Sequence, residues 1–157
     1  MMDYQEFIQA KQSRIRNVGF QPWDVHEMLF PFQADIVKWS IRKGKSAIWA
    51  GTGLGKTFMQ LSWAQQVSRH SDEPVLILAP LAVSAQTIDE AKKIDIEVSR
   101  YGDGQIQIAN YEQLHNIDCS QFTGIVLDES SILKNFAFSM RCRADSSFQV
   151  KIFKAGV

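Results

Sequence analysis

Three glycines, Gly51, Gly53 and Gly55, alternate with Thr52 and Leu54 immediately ahead of Lys56-Thr57. Such a run lets the backbone curl with its N–H groups turned inward, which makes a concave nest for an anion. The phosphate-loop pattern G-x-x-x-x-G-K-[ST] is met at Gly55-Lys56-Thr57, with Ala50 standing at its first glycine position. In that pattern Lys56 reaches the β- and γ-phosphates and the Thr57 hydroxyl ligates Mg²⁺. The expected ligand is a nucleoside triphosphate with Mg²⁺, cradled by Gly51, Thr52, Gly53, Leu54, Gly55, Lys56 and Thr57. A glycine-rich turn with an incidental lysine is the competing interpretation. The apolar run before the loop and the amphipathic stretch after it weigh against that.

A second group of residues has matching chemistry. Gly124-Ile125-Val126-Leu127 is an apolar run that ends in Asp128-Glu129. At the carboxyl edge of a parallel sheet these acids would share a crevice with the phosphate loop. Asp128 would then hold Mg²⁺, and Glu129 would polarise a water that attacks the γ-phosphate. Taken alone, two acids at a strand end are common and need mean nothing; their pairing with a phosphate loop gives them a role.

These residues need a scaffold of alternating strands and helices. Ser46–Ala50, Val75–Ala79, Ile106–Ala109 and Gly124–Leu127 are strand candidates. Val75–Ala79 is continuously apolar, the mark of a parallel strand covered on both faces. Helices are expected over Phe32–Arg42, stopped by Gly44; over Lys56–Arg69, broken by Asp72-Glu73-Pro74; and over Val83–Lys93 after Pro80. The alternation predicts an α/β domain with a mainly parallel sheet. Tyr4, Phe7, Ile8 and Ile15 suggest a further helix in residues 3–16.

Bulk properties bound the setting. The chain has 157 residues, enough for one domain, with 17 basic and 17 acidic side chains. This balance excludes a general polyanion-binding mass, though not a local basic patch. Cys119 and Cys142 form no CxxC pair, and His26, His70 and His115 lack metal-ligand spacing. With no signal peptide and no apolar run long enough to span a bilayer, the expected setting is cytoplasmic, with no membrane partner. Trp23, Trp39, Trp49 and Trp63 sit mostly on apolar faces and are expected in the core rather than as base-stacking platforms.

With both motifs in place, the sequence resembles the first RecA-like domain of superfamily 2 helicases, and among them the Snf2-like helicases of phages and prophages. The resemblance runs over roughly residues 29–140. It rests on Leu29-Phe30-Pro31-Phe32-Gln33, Gly53-Leu54-Gly55-Lys56-Thr57, Leu78-Ala79-Pro80-Leu81-Ala82-Val83 with Gln86-Thr87, Asn110-Tyr111-Glu112-Gln113-Leu114, and Asp128-Glu129-Ser130-Ser131-Ile132-Leu133-Lys134-Asn135. It implies a three-layer RecA-like fold, ATP as the nucleotide, and nucleic acid as partner, DNA ahead of RNA. It also implies that Gln33 hydrogen-bonds adenine and that Pro80, Gln86, Asn110 and Tyr111 lie along a nucleic-acid backbone. For these last four, loop or packing roles compete, and Tyr111 has the character of a core residue.

The departures also matter. Ser130-Ser131 stands where many relatives carry Ala-His or Ala-Asp, and residues 141–157 contain no recognised family motif. The Ser/Thr-Ala-Thr segment and the second RecA-like domain with its arginine fingers do not follow. The implied organisation is therefore an N-terminal helical extension, 1–28, and a C-terminally truncated ATP-binding domain, 29–157. Completed by a second domain, it would couple ATP hydrolysis to nucleic-acid remodelling. The alternatives are a non-catalytic nucleotide-dependent adaptor or one half of a split helicase, paired with a chain that carries the second domain, and, less compatible with the Gln33 and Asn110 segments, an unrelated phosphate-loop kinase or ATPase.

Overall fold

A computed structural model describes residues 17–129 and the backbone of strand 149–155. The expected helix in residues 3–16 and the segment Ser130–Asn135 lie outside the described residues. The elements follow one another as α1 (Pro31–Lys43), β1 (Lys45–Ala50), α2 (Lys56–Ser71), β2 (Val75–Ala79), α3 (Leu81–Lys92), β3 (Ser99–Arg100), β4 (Ile106–Asn110), β5 (Gly124–Leu127) and β6 (Gln149–Ala155). Two 3₁₀ turns, Tyr111–Asn116 and Cys119–Gln121, connect β4 to β5.

The strands form one sheet in the order β1-β6-β5-β2-β4-β3, and every pairing is parallel. The sequence-based strands β1, β2, β4 and β5 are all present. β2 is buried at every position, as its unbroken apolar run requires. The alternation of strands and helices thus yields the expected α/β architecture. Among the described residues no helix is long and apolar enough to cross a membrane.

Two strands escape the sequence reading. β3 is only two residues long. β6, within a tail that carries no recognised motif, is interrupted by Lys151 and Lys154 and so lacks the apolar run that marks β2. Yet β6 lies centrally, between β1 and β5, with Ala50 opposite Ala155 and Leu127 opposite Ile152. The two motif-bearing strands are therefore held one strand apart, with their carboxyl ends at the same edge.

The core has two parts. Val37, Ile41, Met59, Leu61, Trp63, Val75 and Ile77 belong to one cluster, while Leu76, Leu78, Tyr111, Phe122, Ile125 and Leu127 belong to the other. Alternate β2 residues feed opposite clusters, as the two-residue period of a strand dictates. Of the four tryptophans, Trp63 alone is fully buried. Trp23, Trp39 and Trp49 are exposed by 51%, 45% and 68%, which corrects the expectation that they fill the core. For Trp49 the reason is its place on β1, the sheet's edge strand, at a position that alternates outward between buried Ile48 and Ala50.

Candidate functional site

The glycine loop expected to bind phosphate joins β1 to α2. Gly53 and Gly55 have φ of 79° and 70°, the left-handed region where side chains are disfavoured. At Gly55 there is a second constraint. A Cβ there would come within 2.3 Å of Gln33 Nε2, so that amide would have to shift and give up its hydrogen bond to Leu54. Around Gly53, by contrast, a Cβ would meet nothing within 4 Å. The bend is held from one side and open at its tip.

Gln33 is what holds it. Its Oε1 accepts from the Phe30 N–H at 2.9 Å, and its Nε2 donates to the Leu54 carbonyl at 2.9 Å. The side chain is buried, so the amide ties the start of α1 to the phosphate loop. An amide offers two N–H groups and two lone pairs, and half of that capacity is spent on this clamp. Lys56 folds over the loop from within, its Nζ donating to the carbonyls of Gly51 at 3.1 Å and Ala50 at 3.3 Å. Lys56 and Thr57, both half-buried, begin α2, whose first N–H groups and positive dipole end face the loop.

Asp128 and Glu129 follow β5 directly. Asp128 is buried, with its backbone N–H donating to the Leu78 carbonyl at 2.8 Å and its Oδ1 accepting from Gln60 Nε2 at 2.7 Å. Burial raises its carboxyl above the ordinary value; the Gln60 hydrogen bond pulls the other way, the Glu129 charge adds to the rise, and the Lys56 charge opposes it. Gln60, one turn after Lys56 on α2, thus brings the helix that follows the glycine loop against the end of β5. Glu129 is half-buried with φ of 51°, an unusual conformation for a non-glycine residue.

Tyr111 is corrected by its surroundings. It is buried in the second core cluster, and its hydroxyl donates to the Asp128 carbonyl, so no face of it is offered to a nucleic-acid strand. Burial, then the negative charges of Asp128 and Glu129, push its phenol well above the usual range. Its hydroxyl instead secures the peptide that leads into Glu129. Replacing Tyr111 with Phe is expected to cost about 1–2 kcal/mol, since a buried acceptor loses its donor. A lower urea midpoint at unchanged slope would report it; an unaltered midpoint would deny the bond any role.

The other residues expected along a nucleic-acid path fall differently. Pro80 is half-buried and precedes α3 as its N-cap. Asn110 caps the following 3₁₀ turn, its Oδ1 accepting from the Gln113 N–H at 3.0 Å. Gln86 is exposed and donates to Glu90 Oε1 at 2.9 Å, one turn along α3. A cleft of about 310 Å³ at the carboxyl edge is lined by Leu81, Ser84, Arg100, Asn110 and Gln113 among others. It includes Asn110 and the residue after Pro80, leaves Gln86 and Tyr111 out, and adds Arg100. Arg100 carried no motif and could be found only through the position of β3. Among the described residues no group of three or more His, Cys, Asp or Glu side chains is placed to hold a metal ion. Thr57 and Asp128 supply hard oxygen donors, the type Mg²⁺ takes one or two at a time beside phosphate and water.

Solved structures share this fold. No family model matches the sequence. Putative protein p41 of Acyrthosiphon pisum secondary endosymbiont phage 1 is 33% identical, over 68% of this chain and 28% of that protein. The Sulfolobus solfataricus SWI2/SNF2 ATPase core in complex with dsDNA superposes with a TM-score of 0.68 at 18% identity, covering 88% of this chain and 34% of that one. The UvsW helicase from bacteriophage T4 superposes with a TM-score of 0.59 at 15% identity, covering 98% of this chain and 68% of that one. The chain therefore spans little more than a quarter of the phage relative and about a third of the SWI2/SNF2 core. Its fold is the RecA-like α/β fold that these solved structures share.

Proposed function

We propose that this chain is the ATP- and Mg²⁺-binding RecA-like domain of a Snf2-like DNA helicase or translocase. The observation that carries the reading is the shared rim: β1 runs into the glycine loop and β5 into Asp128 at the same edge of the parallel sheet, one strand apart, and Gln60 on the helix that Lys56 begins hydrogen-bonds Asp128 at 2.7 Å. In this reading the loop N–H groups and Lys56 bind the phosphates, while Thr57 and Asp128 hold Mg²⁺. The bound cation would neutralise phosphate charge. Glu129 accepts a proton from water as the water oxygen bonds to the γ-phosphorus and the bond to the β-phosphate oxygen breaks, giving ADP and phosphate. The spare N–H and lone pair of Gln33 suit the donor–acceptor edge of adenine.

A nucleic-acid partner is supported by the fold match to an ATPase core bound to dsDNA. The cleft with Arg100, Asn110 and Gln113 offers a cation and amides for backbone phosphates, contacts that carry no sequence preference. Coupling of hydrolysis to movement along DNA also calls for a second RecA-like domain, on the same polypeptide or another, to supply arginine fingers worth about 10³–10⁵ in turnover.

The test is calorimetric titration with ATP in Mg²⁺, followed by turnover with and without double-stranded DNA, alone and with a candidate second-domain chain. Binding by the domain alone and DNA-stimulated turnover in the combined sample are expected. An absence of ATP binding would reject the nucleotide site. Binding without any turnover in either sample would favour a nucleotide-dependent adaptor over a motor.

A further inference from the structure

We propose that Gln60 is a positioning residue that sets the orientation of the Asp128 carboxylate for Mg²⁺, an inference that rests on the nucleotide reading above. Gln60 lies on α2, four residues after Lys56 and three after Thr57, so the three side chains share one helix face. That face is turned to the end of β5, where Gln60 Nε2 donates to Asp128 Oδ1 at 2.7 Å. Both partners are buried, with Gln60 at 1% and Asp128 at 8% exposure.

A carboxylate has about four lone-pair sites on two oxygens and, unrestrained, rotates about its χ2 bond. Gln60 on Oδ1, together with the Glu129 backbone N–H on the same carboxylate, holds it in one rotational state. The Asp128 backbone is fixed independently, through Leu78 and Tyr111, so Gln60 is the side chain that restrains the carboxylate torsion. The residue type fits this task. A cation at position 60 would neutralise Asp128 and compete with Mg²⁺, and an acid would repel it. An amide N–H orients the ionised carboxylate without adding charge. Groups that orient a metal ligand in this way typically matter about 10–100-fold for metal affinity.

Gln60→Leu and Gln60→Met remove the donor at similar volume, and the second guards against a packing failure of the first. ATP affinity is measured by calorimetry in MgCl₂ and in EDTA for each variant and the parent. The ratio of the two affinities is expected to fall about 10-fold or more in both variants. If Gln60 serves packing alone, both affinities or the melting temperature drop while the ratio stays at the parental value, and the proposal is overturned. A parent lacking Mg²⁺-dependent binding would instead reject the nucleotide reading itself, and this inference with it.

Discussion

Lys56→Ala is expected to weaken ATP–Mg²⁺ binding by about 100-fold or more while leaving the fold intact. The size follows from the bonds lost. Charge-assisted hydrogen bonds contribute about 1.5–3 kcal/mol each, and every 1.4 kcal/mol is a factor of ten in affinity. Fold integrity follows from how the loop is anchored. Its carbonyls at Ala50 and Gly51 lose the Lys56 ammonium, but its far end stays tied to α1 through the Gln33 amide on Leu54. Lys56→Arg is expected to rescue poorly, because a planar guanidinium replaces a compact ammonium that donates in three directions. Calorimetry gives the affinity and thermal unfolding checks the fold. Parental affinity in a folded Lys56→Ala variant would remove the phosphate-loop assignment.

What the sequence made legible, and what it hid, divides along physical lines. Strands covered on both faces announce themselves, because two buried faces demand an unbroken apolar run. Val75–Ala79 and Gly124–Leu127 were found to the residue for that reason. The start of α3 was placed two residues late, at Val83 rather than Leu81, since Pro80 caps the helix instead of standing apart from it. β6 was hidden by its two lysines, although it separates the two motif strands. The glycine loop and the Asp128-Glu129 pair stand out in the sequence because the chemistry proposed for them calls for particular residue types at fixed spacing.

The supporting residues were not, since their roles come from depth and direction. Gln60 is an unremarked amide in a helix until Asp128 is seen beside it. Gln33 was assigned to adenine by resemblance, and the structure shows that half its capacity secures the phosphate loop. For Tyr111 the resemblance points to a nucleic-acid path while its residue type leaves a core role open, and its burial favours the core role.

The same support bears on the second large effect. Glu129→Gln is expected to keep ATP–Mg²⁺ affinity within about two-fold while turnover falls about 10²–10⁴-fold, the usual contribution of a positioned general base. Gln has the shape of Glu and preserves a hydrogen bond to water, but it cannot take the proton. Position 129 is also built at a cost. A non-glycine residue at φ of 51° is strained by about 1–3 kcal/mol, and such strain persists only where neighbours impose it. Here the preceding peptide is held on both sides, by the Asp128 N–H on Leu78 and by the Tyr111 hydroxyl on the Asp128 carbonyl. The strain therefore fixes where the Glu129 side chain leaves the backbone, directly after Asp128 at the carboxyl end of β5. Glu129→Gly would relieve the strain and raise stability while also losing turnover, separating the cost of the conformation from its use. Steady-state turnover with DNA and a second-domain partner, set beside calorimetric affinity, decides the matter: a Glu129→Gln variant that hydrolyses ATP at the parental rate would leave this strained acid without a catalytic purpose.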